Sequence, residues 1–236
     1  MKSAPTSFYQ RRGKRLFDLA SSLAALVVLV PILVVVAAIS LGVQGRPVLF
    51  RQERVGKCKS RFWVIKLRTM RVDPVSTVTI TTRADSRITP WGRLLRRSKL
   101  DELPQLLNVL NGSMSLVGHR PDVPGYWDEL PDSDRLTQLR PGITGPGAVV
   151  FRNEELLLSQ QADPIGYNDS VIFPEKVRLA RLYAESITFA GDLFWIALTL
   201  MPSKFVRRVL STSKWVSSTG APFWVAALWA ESSPFS

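Results

Sequence analysis

Residues 19–45 read LASSLAALVVLVPILVVVAAISLGVQG, 27 residues without a single charge. As a helix this run would extend about 40 Å, more than the roughly 30 Å of a bilayer's hydrocarbon core. Its flanks complicate a simple crossing. Arg11, Arg12, Lys14 and Arg15 precede it, and Arg46, Arg51, Arg54, Lys57, Lys59 and Arg61 follow. The positive-inside bias therefore holds both ends on the cytoplasmic side. Near the middle, Pro31 removes a helix hydrogen bond and bends the chain, and Ser21 and Ser22 are placed to satisfy backbone groups nearer the entry. The expectation is a re-entrant membrane helix kinked at Pro31 rather than a straight span. A cleaved signal peptide fits less well, because the run is too long for an h-region and lacks a convincing small-residue cleavage site.

The chain has 236 residues, 46% hydrophobic and 21% charged, enough for one domain with appendages and a sizeable core. One cysteine, Cys58, excludes an intrachain disulfide, and with one histidine, His119, a structural zinc site is excluded as well. Any metal must then rest on oxygen ligands, which favours magnesium-type chemistry. The net charge of +12 is uneven: residues 1–100 carry +16 and residues 101–236 carry −4. A basic half points to a polyanionic partner, whether nucleic acid, anionic lipid or a phosphate-bearing substrate.

The fold class expected is mainly α with a small β component, α+β. Val48–Arg51 and Phe62–Leu67 read as strands around a turn at Gly56–Lys59. Residues 73–90 read as a polar loop and WGRLLRRSKL as a short basic helix. Leu103, Leu106, Leu107 and Leu110 show the spacing of an amphipathic helix ended by Asn111–Gly112, with Pro104 in its first turn. Residues 121–147 read as turns. Helices are expected over EELLLSQQ and FPEKVRLARLYAES, and residues 187–201 as a core or interfacial helix, too short to span. The parts are residues 1–45 (basic segment and membrane helix), 46–201 (catalytic domain) and 202–236, a tail whose Trp215, Trp224 and Trp229 suit a membrane interface.

Asp101 and Glu102 stand side by side just ahead of the leucine-spaced helix. Capping explains such a pair most simply, since acids favour helix N-termini and Ser98 with Asp101 resembles a capping box. Their neighbours point further. Arg93, Arg96, Arg97 and Lys99 crowd the same place, and Lys66, Arg68, Arg120 and Arg152 add cations elsewhere. Carboxylates among so many cations are ionised and suit magnesium plus an incoming phosphate. One acid could attack while its neighbour holds the metal.

In order along the chain stand KRLFDLA, RPVLFRQERVG, IKLRTM, RITPWGRLLRRSKLDELPQLLNVLNGSMSLVGHRP and LRPGITGPG. This set resembles the bacterial sugar transferases, the monotopic phosphoglycosyl transferases acting on polyprenyl phosphate, from about Lys14 to Met201. The resemblance implies a re-entrant helix at the bacterial inner membrane with the catalytic domain on its cytoplasmic face, against anionic lipids. It implies transfer of a sugar phosphate from a UDP-sugar to polyprenyl (undecaprenyl) phosphate with Mg2+, opening the assembly of a glycan such as an exopolysaccharide. Carried over, Asp101 attacks the sugar-linked phosphorus and Glu102 holds magnesium. Lys66 and Arg68 match a basic K-x-R-T-M motif, Arg120 the arginine of P-R-P, and Arg152 a later arginine; with Arg96 these are assigned to phosphate or nucleotide binding. A homodimer is left open.

The sequence also departs from the family's pattern. His119 replaces the first proline of P-R-P and reads as a turn residue, with a hydrogen bond to a substrate phosphate as the alternative. PGAVVFRNEELLL replaces a glutamine- and asparagine-containing run, and no acid follows Lys176 until Glu185; Glu175 reads as a surface residue. A membrane-tethered nucleic-acid-binding protein is the competing class, but only Phe62 and Trp63 interleave with the basic strands, so no nucleic-acid partner is expected. A glycosidase needs carboxyls facing each other about 5 Å or more apart, which adjacent residues seldom achieve.

Overall fold

The structure, a computed structural model, describes residues 8–72, 85–131 and 134–212. A π-helical turn, Tyr9–Gly13, leads into α1, Lys14–Gln44. The hairpin β1 (Leu49–Val55) and β2 (Arg61–Leu67) follows, then α2 (Pro90–Ser98), a 3-10 segment (Leu100–Gln105) and α3 (Leu106–Leu110). Strands β3 (Ser115–Val117) and β4 (Gly142–Thr144) enclose the loop carrying His119 and Arg120. The helices α4 (Pro146–Val150), α5 (Glu154–Ser159), α6 (Pro164–Tyr167), α7 (Phe173–Glu185), α8 (Phe189–Leu200) and α9 (Ser203–Thr212) complete it. The molecule is mostly helical with a small β component, as the sequence implies.

The helix through Pro31 is unbroken from Lys14 to Gln44 and is long and apolar enough to cross a membrane. Its buried residues, Asp18, Ser22, Leu26, Val36 and Ser40, fall on one narrow stripe of the helical period. Around the rest of the circumference Leu23, Val27, Val28, Val34 and Val35 are bare. At the foot of α1, Asp18 accepts from the Ser115 hydroxyl (2.7 Å) and the Leu116 amide (3.1 Å), tying the helix to β3. Lys14 donates to Asp192 at 2.7 Å, and Tyr9 and Tyr183 each donate to the same fully buried carboxylate at 2.6 Å. At the far end Trp91 donates to Ser40 (2.8 Å), and Val36 packs with Leu67 and Leu95. One domain thus holds both ends of the apolar helix.

The two-stranded sheets are minimal. β1 and β2 pair antiparallel with Phe50 opposite Lys66, and β3 pairs parallel with β4. The reading of residues 121–147 as turns alone misses β4. There Gly118 and Gly142 meet backbone to backbone, and a Cβ on Gly142 would lie 2.1 Å from the Gly118 nitrogen. The main core gathers Val149, Val150, Leu158, Leu179, Tyr183, Trp195 and Leu198, and it takes in Val206 and Leu210 of α9. Part of the expected tail is therefore a packed helix. Trp215, Trp224 and Trp229, and most of the expected loop 73–90, lie outside the described residues; within the remainder, Thr89 caps α2 by accepting from the Gly92 amide at 2.9 Å.

Candidate active site

The chain reaches Asp101 through an abrupt turn. α2 ends at Lys99, whose left-handed backbone (φ 59°) redirects the chain into the 3-10 segment. The capping reading does not hold: no side chain caps that segment, and the Ser98 hydroxyl donates back to the carbonyls of Leu94 and Leu95. The continuous amphipathic helix also divides. With three residues per turn from Leu100 to Gln105, the buried face rotates onto Pro104, Gln105, Leu106, Asn108 and Val109, leaving Leu107 exposed. Asp101 is buried and Glu102 nearly so.

Glu102 is clamped. Its Oε1 accepts from Arg120 Nη2 at 2.6 Å and from Lys66 Nζ at 3.3 Å. Burial alone would raise the Glu102 pKa, but Arg120, Lys66 and Lys99 reverse this and hold it well below the usual carboxylate range. Arg120 is in turn pushed up, first by the charge of Glu102. Burial lowers the ammonium of Lys66, against the pull of Glu102. Asp101 differs from its neighbour: burial and then the charge of Glu102 raise its pKa, with Lys66, Lys99 and Arg96 opposing. Among the described residues no donor hydrogen-bonds the Asp101 carboxylate. The pair is one masked acid beside one bare acid.

The structure thus brings together Asp101, Glu102, Lys66 and Arg120 from three parts of the chain. Arg96 stands beside them, donating to Thr69 (2.9 Å) and Glu155 (2.6 Å). Arg68 and Arg152 are engaged elsewhere. Arg68 Nη2 donates to the carbonyls of Gln44 and Gly45 at the end of α1, and Arg152 donates to Leu198, Thr199 and Met201 at the end of α8. Each closes a helix C-terminus, where carbonyls lack intrahelical partners.

His119 lies in the bend that follows β3, in keeping with its reading as a turn residue. It is buried, packed against Trp127 with ring centroids 4.4 Å apart and the rings tilted by 39°, and burial lowers its pKa to about 4. Glu175 is likewise buried, paired with Arg178 one turn on. Two contributors escape the sequence reading. Asn108 donates to the Trp63 carbonyl (2.8 Å) and accepts from the Ile65 amide (3.1 Å), pinning the edge of β2 beside Lys66 to the helix that follows the acids. Beyond Arg120, the buried Lys176 donates to Glu154 at 2.8 Å and lies 3.9 Å from Asp122, which also holds Arg54. An Asn two turns after paired acids is the only signal either leaves in the sequence.

A magnesium ion fits these residues. Glu102 keeps Oε2 free of donors, a hard ligand of the kind the ion takes with substrate phosphates, while Asp101 beside it stays open. Among the described residues no three His, Cys, Asp or Glu side chains converge, so phosphate oxygens and water would complete the shell.

Residues 9–205 match the bacterial sugar transferase family. The chain is 46% identical over 141 residues to the exopolysaccharide production protein PSS of Rhizobium leguminosarum bv. phaseoli, a match covering 56% of this chain and 70% of that protein. It is 42% identical over 138 residues to the UDP-glucose:undecaprenyl-phosphate glucose-1-phosphate transferase of Caulobacter vibrioides, covering 56% of this chain and 51% of the relative. To the uncharacterized sugar transferase EpsL of Bacillus subtilis it is 35% identical over 199 residues, 84% of this chain and 87% of the other. The span from Caulobacter is thus only about half of that relative's length. The motifs, the clamped acid pair and the match over residues 9–205 agree: the chain belongs to the bacterial sugar transferase family.

Proposed function

We propose that this protein transfers a sugar phosphate from a UDP-sugar to undecaprenyl or a related polyprenyl phosphate, releasing UMP, as an opening membrane step of exopolysaccharide assembly. One observation carries the reading: a bare, buried Asp101 carboxylate lies next to a Glu102 that two cations hold ionised. Names among the relatives support the donor and acceptor classes.

In this reading Asp101 attacks the sugar-linked phosphorus, the bond to the bridging oxygen breaks, and UMP leaves. The lipid phosphate then attacks the same phosphorus and frees the Asp101 carboxylate. Lys66 and Arg120 turn from Glu102 toward the donor's phosphates, and Arg96 flanks them; Arg68 and Arg152 help only by holding their helix ends in place. Glu102 would hold magnesium, which would supply charge neutralisation on the diphosphate.

The same reading makes α1 re-entrant. A helix crossing the bilayer would carry its ends to opposite faces, whereas one domain here grips both Asp18 and Ser40. Its bare apolar side then lies in lipid, bent about Pro31, and the domain stays on the cytoplasmic face beside anionic headgroups.

The test is capture of the intermediate. Wild-type protein given donor and magnesium without lipid should gain the mass of one phosphosugar, and Asp101→Asn should gain none. Capture that persists in Asp101→Asn places the nucleophile elsewhere.

A further inference from the structure

The last residue of α1 touches both arms of the active site. Gln44 Nε2 donates to the Arg68 carbonyl at 3.1 Å, and Gln44 Oε1 accepts from the Thr89 hydroxyl at 2.9 Å. Arg68 closes the circuit by donating to the carbonyls of Gln44 (2.5 Å) and Gly45 (2.8 Å). Arg68 lies two residues beyond Lys66, and its amide bonds the Val48 carbonyl at 2.9 Å. Thr89 is the N-cap of α2, the helix that delivers Lys99, Asp101 and Glu102. α2 also presses directly on this place, for a Cβ on Gly92 would lie 1.9 Å from the Thr69 carbonyl oxygen.

We propose that Gln44 is a positioning residue, through which the end of the apolar helix sets Lys66 against the Asp101–Glu102 pair. The side-chain amide is suited to this role because it offers a donor to one arm and an acceptor to the other. A displaced α1 would loosen the Lys66 strand and the acid-bearing turn together, so correct seating of the helix aligns the site. The kinetic consequence rests on the proposed transfer; the structural coupling stands without it.

The test uses the full chain in phospholipid nanodiscs, comparing wild type with Gln44→Leu and Gln44→Ala. Amide hydrogen exchange should accelerate at both residues 66–70 and residues 99–103, with exchange in the α7–α8 core unchanged. With magnesium, a UDP-sugar and undecaprenyl phosphate, kcat should fall by about ten- to a hundred-fold, as small misplacements do, while KM for the donor stays within about two-fold because Gln44 makes no substrate contact. Faster exchange confined to residues 41–47, or unchanged kcat despite faster exchange at residues 99–103, overturns the proposal. If wild type itself releases no UMP from any donor, the transferase reading fails, and the exchange data alone decide whether Gln44 couples the two arms.

Discussion

Two adjacent acids behave oppositely because their partners differ. Glu102 has its folded pKa depressed, so it contributes stability above the unfolded glutamate value of about 4.3. That contribution is lost as pH falls through the lower folded value. Thermal melts from pH 7 downward should therefore lose more stability in wild type than in Glu102→Gln. At pH 7 the Gln variant should itself be less stable by about 1–3 kcal/mol, since Lys66 and Arg120 lose a largely buried charged acceptor. Asp101 has its pKa raised, first by burial. The acidic limb of kcat/KM should accordingly lie above the ordinary aspartate value of about 3.9; a limb at or below that value contradicts the assignment. Paired acids and surrounding cations were legible in the sequence, but which acid is masked was not. That depends on Arg120 and Lys66 arriving from separate elements, a fact of tertiary contact.

Among the elements, β2, α2, α5, α7 and α8 lie close to where their hydrophobic patterns put them, whereas β1 runs on to Val55 and the helical turns of residues 164–172 leave no such pattern. The segment that matters most for chemistry departs from its pattern. Its leucine spacing resembles an α-helix, yet Lys99 in the left-handed region and Pro104 favour a 3-10 start that turns the face by part of a turn. Lys99→Gly should stabilise the fold by up to about 1 kcal/mol by removing the left-handed penalty, read as a rise in melting temperature. Asn108→Leu tests the other constraint on this segment. Losing both bonds to β2 should cost about 2–3 kcal/mol, since the Trp63 carbonyl and Ile65 amide are left without this partner. Arg68 and Arg152 show the complementary limit of motif reading: an arginine fit for phosphate is equally fit for a helix C-terminus, and in the packed structure both bond helix-end carbonyls.

For the whole molecule, the 27-residue uncharged run between basic flanks is long and apolar enough to cross a membrane, and contacts at Asp18 and Ser40 tie both ends of α1 to the rest of the fold. Cysteine labels at the N-terminus and near residue 46, in a background without Cys58, should both react from the cytoplasmic side. Pro31→Leu should raise the fraction of chains whose N-terminus is labelled from outside; an unchanged pattern would remove the proline from the account of the bend. The overall charge asymmetry is compatible with the proposed reading, in which the basic half meets anionic headgroups and phosphates. The most direct measurement of the central claim is the identity of the nucleotide released by purified protein in nanodiscs with magnesium, a panel of UDP-sugars and undecaprenyl phosphate. UMP, released catalytically with lipid acceptor, in at most one equivalent per enzyme without it, and lost in Asp101→Asn, is the expected result. Release of UDP would mean transfer of the sugar without its phosphate and would contradict the account.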